Sequence, residues 1–440
     1  MAPEFALAAT GFAVMLVMIA LRAPVGLAML LVGMGGYIYI VDAAALGNYL
    51  KTTPYHLFSN YTLSVIPLFI LMGALAERGG LARDLFAAAN ALAGRKPGGM
   101  AMGVIGACAC FGAVCGSSVA TTATFGRAAL PELRRYGYDM GFATGTIAVG
   151  GTLGILIPPS VILVIYAIST EQNIAKLFMA ALIPGLIAMA LYILTIMILM
   201  KFRPALGPPG LVPSAAEKRR AFLNVIPVLM IAVIVIGGIY GGVFTPTESA
   251  AIGCIAVLGV GMLRRTLSLG RIREALFATA ETSAMIFAIL LGAEVFNTFL
   301  ALSQAPDLLA LWITEQDFPP YGVLVILLVS YIILGAVMDE LAMILLTLPV
   351  FFPVVTALDF GLTTEETAIW FGILVLIVVG IGLTAPPIGL NVFVVSGLAK
   401  DVPISRIYRG VLPYLGMDLV RLALCVMFPG LSLWLVRLLT

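Results

Sequence analysis

Twelve long apolar runs divide this chain, near 5–21, 24–41, 61–76, 98–125, 141–168, 177–200, 222–243, 247–263, 281–303, 320–357, 366–397 and 409–436. A bilayer-crossing helix needs about 20 predominantly apolar residues, and most of these runs approach or exceed that length. Lipid offers no partner to an open backbone, so apolar runs of this kind must be helical. Composition agrees. Only 10% of residues are charged, and the mean hydropathy is +1.12. That is too little charge to coat a soluble protein of 440 residues. Water-soluble enzymes, nucleic-acid binders and disordered scaffolds are excluded. The expected fold class is an all-α polytopic membrane protein with roughly 10–14 crossings. The N-terminus lacks a basic region and a cleavage site, so the first run reads as a retained span.

Four runs are interrupted. The run 98–125 is cut by Gly112, Gly116, Ser117 and Ser118, and the run 320–357 by Gly335, Asp339 and Glu340. Each is long enough for a helix, a polar tip and a returning helix, which predicts two re-entrant hairpins. The runs 141–168 and 366–397 contain Gly150-Gly151-Thr152-Leu153-Gly154 before Pro158-Pro159, and Gly380-Ile381-Gly382-Leu383-Thr384-Ala385-Pro386-Pro387. A proline pair after a glycine-rich stretch cannot stay helical, which predicts two broken helices.

These features come in twos. Pro24 matches Pro246, Gly73 matches Gly292, Gly116 matches Gly335, Pro131 matches Pro349, Asp139 matches Asp359, and Pro158-Pro159 matches Pro386-Pro387, at a nearly constant offset. Two repeats are expected, residues 1–205 and 221–440, joined by a cytoplasmic linker at 206–220. Three spans, a hairpin, a broken span and a final span make an odd number of crossings, so the second repeat should be inverted. With the N-terminus outside, 20 of the 24 Lys and Arg residues fall on the cytoplasmic side, as the positive-inside rule requires. The first hairpin then enters from the cytoplasm. The second has acidic flanks, among them Asp307, Asp317, Asp359 and Glu365, and enters from the periplasm. Oppositely oriented hairpins in an inverted repeat mark a transporter.

The first tip carries Ser117, Ser118, Thr121 and Thr122, which offer oxygen without burying charge. Beside it, the broken span 150–160 should add unpaired carbonyls. Such hard donors suit Na⁺ rather than a transition metal. By symmetry, the tip Gly335-Ala336-Val337-Met338-Asp339-Glu340 with the break 380–391 should form a second cation site. Asp339 either caps the returning half-helix or lines the ion path. Half-helix N-termini at the midplane favour an anionic group such as a carboxylate. Thr121, Thr122, Asp339, Pro386 and Asn391 are the candidate substrate contacts. The core is expected to lack fixed positive charge, so co-bound cations would compensate the anion. Glu248 reads as a first-turn acid, and Asp418 and Arg421 as an i,i+3 pair. With His56 the only histidine and five scattered cysteines, neither a catalytic triad nor a His/Cys metal cluster can be built, and no organic cofactor is expected. The chain does not read as an enzyme.

At these segments the sequence resembles the large membrane subunit of TRAP (tripartite ATP-independent periplasmic) transporters, the DctM-like family of the ion transporter superfamily. The resemblance rests on Gly116-Ser117-Ser118-Val119-Ala120-Thr121-Thr122, on 150–160, on Thr245-Pro246-Thr247-Glu248-Ser249-Ala250, on Met338-Asp339-Glu340 with Leu346-Thr347-Leu348-Pro349, and on Thr384-Ala385-Pro386-Pro387-Ile388-Gly389-Leu390-Asn391. It implies an elevator-type transporter in the bacterial inner membrane. Scaffold and transport domains would be interleaved across both repeats. It implies Na⁺-driven uptake of an organic acid, such as a C4-dicarboxylate or sialic acid. Two partners are implied, a small four-helix membrane subunit, here expected as a separate chain, and a periplasmic substrate-binding protein. The family's sodium sites would fall on Ser117, Ser118, Gly151, Thr152, Gly154 and Pro159, and on Gly335, Met338, Gly382 and Thr384. Val119 stands where the family often has a third hydroxyl. The alternative is a stand-alone sodium- or proton-coupled carboxylate carrier of the same superfamily.

Overall fold

The computed structural model describes residues 3–93, 96–210 and 214–439, and every regular element among them is helical. Arg95 and part of the expected linker lie outside the described residues. The first half contains α1 (Pro3–Ala20), α2 (Val25–Ile40), α3 (Ala43–Phe58), α4 (Val65–Arg78), α5 (Leu81–Ala93), α6 (Gly99–Cys115), α7 (Ser118–Arg135), α8 (Met140–Leu156), α9 (Val161–Ser169) and α10 (Ile174–Phe202). The second contains α11 (Ala215–Tyr240), α12 (Pro246–Leu263), α13 (Leu269–Leu302), α14 (Ala305–Glu315), α15 (Pro320–Gly335), α16 (Glu340–Ala357), α17 (Thr364–Gly382), α18 (Leu390–Leu398), α19 (Ile404–Met427) and α20 (Gly430–Leu439). Eight helices among the described residues are long and apolar enough to cross a membrane, or nine with the bent pair α8–α9 as one span. Five shorter apolar helices (within α1, and α2, α6, α15 and α20) account for other apolar runs, so the helices of full crossing length are fewer than the sequence predicts.

All four interruptions break a helix. Helix α6 ends where Gly116 turns left-handed at φ +65°, and Ser117 caps α7 by accepting from the Ala120 amide. Asp139 and Ser160 cap α8 and α9, and the two axes bend by 44° at the proline pair. Asp339 caps α16, and Gly389, at φ +56°, precedes α18. Both proline pairs carry a cis peptide bond.

The broken helices form the centre. Residues 141–156 of α8 and 367–382 of α17 are buried throughout, whereas α11 exposes much of its apolar face. Small residues bring the outer helices together. The Gly292 Cα lies so close to the Gly26 carbonyl that a Cβ there would overlap it, the close backbone approach that membrane helices use for packing.

Several expectations change. Helix α7 runs ten residues past the apolar run ending at 125, because apolarity marks membrane depth while the polar continuation keeps its helical propensity. Helix α13 likewise starts at Leu269, before the run at 281, and its first turns carry Arg271, Arg273 and Glu274. Helices α3, α5 and α14 mix polar and apolar residues and leave no continuous run. The last run is two helices, because Phe428 precedes Pro429 and leaves helical geometry. The pairing of Asp139 with Asp359 is wrong. Asp139 caps α8, but Thr363 caps α17, in a capping box with Glu366, while Asp359 accepts from the Gly361 amide in the preceding loop. Glu248 forms a capping box with Thr245, as its first-turn position predicts.

Candidate functional site

Each hairpin tip meets the broken helix of its own half. The Gly116 carbonyl accepts from the Val161 amide at 3.4 Å, and the Ala336 carbonyl accepts from the Ile388 amide at 3.1 Å. A Cβ on Gly116 would lie 2.8 Å from the Pro159 carbonyl oxygen. A Cβ on Gly382 would lie 2.7 Å from the Gly335 carbonyl carbon. Tip and break therefore touch backbone to backbone in both halves, which only glycine allows at these points.

The first cluster is the more polar. Helix α7 lies flat against α8 because Gly151 and Gly154 leave room for threonines. The Thr122 hydroxyl occupies the space of a Gly151 Cβ, and Thr121 Oγ1 comes within 2.5 Å of a Cβ position at Gly154. Thr121 donates to the Ser117 carbonyl at 2.7 Å, so its proton is committed. Thr122 Oγ1 is buried and has no hydrogen-bond partner. Thr152 is fully buried, contacts the Val149 carbonyl at 2.8 Å and lies 3.2 Å from the Tyr192 hydroxyl.

The second cluster holds Gly335, Gly382 and Thr384. Thr384 is fully buried and donates to the Ile381 and Gly380 carbonyls at 3.1 and 3.3 Å. Met338 sits in the turn, its amide bonded to the Leu334 carbonyl at 2.8 Å. Asp339 proves to be a cap: its Oδ1 accepts from the Leu341 and Ala342 amides at 3.1 Å each. Beside it, Glu340 Oε2 is buried without a hydrogen-bond partner.

The two clusters meet. A Cβ on Gly380 would lie 3.7 Å from Thr152 Cβ, and the Gly380 carbonyl accepts from Thr384, so both breaks converge on one glycine. Asn391 makes a second bridge. From the start of α18 its Nδ2 donates to Ser118 Oγ at 2.7 Å and to the Ala148 carbonyl at 3.0 Å, while its Oδ1 is buried and unpartnered. Asn391 thus ties the second break to the first tip. Pro386 departs from the group. Pro386, Pro387 and Ile388 are exposed, and Tyr408 donates to the carbonyls of Pro387 and Ile388.

Sequence reasoning missed Tyr192 and misjudged the core's charge. Arg421 is fully buried and pairs with buried Asp418 at 2.8 Å, and Tyr192 donates to both Asp418 oxygens at 2.8 Å. The core therefore holds a fixed positive charge, neutralised by its own carboxylate. A lone tyrosine in the apolar run 177–200 was the available signal.

The family model of the tripartite ATP-independent periplasmic transporter, DctM component, matches residues 12–431. The chain belongs to this family. It is a multi-pass TRAP-type permease. The C4-dicarboxylate TRAP transporter large permease protein DctM of Pseudomonas aeruginosa is 36% identical over 377 residues, covering 85% of this chain and 86% of that one. The sialic acid TRAP transporter large permease protein SiaM of Vibrio cholerae is 32% identical over 381 residues, covering 86% and 87%. The isethionate TRAP transporter permease protein DctMQ of Oleidesulfovibrio alaskensis is 31% identical, covering 91% of this permease but 62% of its own length. Among solved structures, the Alcanivorax borkumensis YdaH transporter has the same fold, with a TM-score of 0.60 over 89% of this chain and 90% of that one, at 17% identity.

Proposed function

We propose that this permease is the large membrane subunit of a sodium-coupled importer that takes up an organic acid delivered by a periplasmic binding protein. The observation that carries the reading is the meeting of each tip with its own break and of the two breaks with each other, with Thr122 Oγ1 and Asn391 Oδ1 left as buried oxygens without a donor. Buried acceptors of this kind cost about 1–3 kcal/mol unless a partner satisfies them, and a hard cation does so. Ser117, Ser118, Gly151, Thr152, Gly154 and Pro159 surround the first Na⁺ position in this reading, with Thr122, packed on Gly151, and Asn391, bonded to Ser118, beside it. Gly335, Met338, Gly382 and Thr384 surround the second.

The two halves act as inverted repeats, with the N-terminus periplasmic. The hairpins and broken helices move as a transport domain against the outer helices, in an elevator motion. A separate small membrane subunit completes the scaffold. Relatives named for C4-dicarboxylates, sialic acid and isethionate support an anionic organic substrate. The test is uptake into proteoliposomes under an imposed Na⁺ gradient, with and without the binding protein of the same system. Uptake that needs both supports the reading. Uptake without any binding protein establishes the stand-alone carrier instead, and uptake driven equally by a pH jump replaces sodium with protons.

A further inference from the structure

A cavity of about 200 Å³ opens between α4, α13 and the tip of the first hairpin. Glu77, Arg78, Cys115, Ser117, Val161 and Thr282 line it. Ser117 caps α7 and Val161 starts α9, so one wall carries two half-helix beginnings. The opposite wall carries charge from outside the hairpins. Glu77 is held by Arg127 of α7 in a tight ion pair, and these two charges cancel. Arg78 is different. Its only ion-pair partner among the described residues is Glu274, at 3.7 Å, beyond hydrogen-bond range, and the Glu274 side chain is 67% exposed. A pair of that length with one partner largely in water contributes at most about 1 kcal/mol. The Arg78 side chain itself is only 24% exposed. Its guanidinium therefore lines a half-open cleft with donors to spare, in the fork geometry that matches a carboxylate.

We propose that Arg78 binds the substrate carboxylate in this cavity. The inference rests on the reading of the chain as an organic-acid importer, and adds to it a cation outside both hairpins. The Glu77–Arg127 pair bridges α4 and α7 beside the site and keeps the Glu77 carboxylate from repelling the anion.

The experiment is a titration of the purified permease in Na⁺ with succinate, read by thermal shift. Succinate should stabilise the wild type saturably. Arg78→Gln should raise the succinate midpoint about tenfold or more, the loss of a charge-assisted hydrogen bond, while Na⁺ alone still stabilises the variant. Arg78→Lys should fall between. An unchanged midpoint in Arg78→Gln, or no response of the wild type to succinate, overturns the subsite. Should Arg78→Gln not fold, succinate protection of Thr282→Cys from a maleimide reads the same cavity, and absence of protection counts against the proposal. Uptake by the wild type in proteoliposomes tests the importer reading separately, so either claim can fail alone.

Discussion

Replacing Asn391 is the most informative single perturbation, because one fully buried side chain joins the second broken helix to the first tip. Asn391→Ala removes two donors, those to Ser118 Oγ at 2.7 Å and to the Ala148 carbonyl at 3.0 Å. The Ser118 hydroxyl can rotate and find another partner. The Ala148 carbonyl keeps its helical bond, so its loss is the smaller part. Each net hydrogen bond is worth about 1 kcal/mol, and an orphaned buried group adds about 1–3 kcal/mol. The variant should therefore lose roughly 2–4 kcal/mol. Unfolding in mixed SDS–detergent micelles measures this. Asn391→Asp is the matched control, since it keeps the shape but points an acceptor at the Ala148 carbonyl, and it should lose at least as much. The Na⁺-induced thermal shift should also shrink in both variants, because Ser118 belongs to the proposed first ion position. Wild-type stability in Asn391→Ala would refute the claim that this side chain locks the halves together.

Other outcomes follow from the same contacts. Ser117→Ala with Ser118→Ala should insert normally yet lose most of its Na⁺-dependent thermal stabilisation; an unchanged shift removes the first tip from the ion site. Gly382→Ala places a methyl 2.7 Å from the Gly335 carbonyl carbon and should cost about 1–3 kcal/mol as overpacking. Gly237→Ala, with nothing within 4 Å of its Cβ, should be neutral or slightly stabilising in the same melting assay. Arg421→Leu leaves the Asp418 charge buried alone and should cost about 3–5 kcal/mol, whereas Tyr192→Phe should cost only about 1–3 kcal/mol. In the loop after α18, hydrogen bonds from Arg134 hold the Asp401 carboxyl below its usual range. A lowered folded-state pKa gives stability that is present above the unfolded carboxylate pKa and is lost as pH falls through the folded one. Asp401→Asn should remove that small acid-side slope from melting temperature against pH.

The sequence by itself determined the helical class, the two hairpins, the two breaks and the residues at them. Those features are local. Apolar run length forces helices in lipid, and Gly116 or a proline pair breaks a helix whatever surrounds it. The same locality explains what was misread. Apolar runs mark depth rather than helix ends, so α7 and α13 are longer than their runs. Matching Asp139 to Asp359 followed residue type, while the fold uses Thr363 for the equivalent cap. Only the tertiary structure decided how the pieces combine. Asn391 looked like a free amide for substrate, and its partners, Ser118 and Ala148, lie more than 240 residues away in the chain. Asp339 was balanced between cap and ion path until two amides claimed it. Arg421 appeared as a charge in the last span, and its burial against Asp418 and Tyr192 depends on helices α10 and α19 packing side by side. Such long-range contacts depend on which helix faces meet, and neither run length nor spacing carries that information.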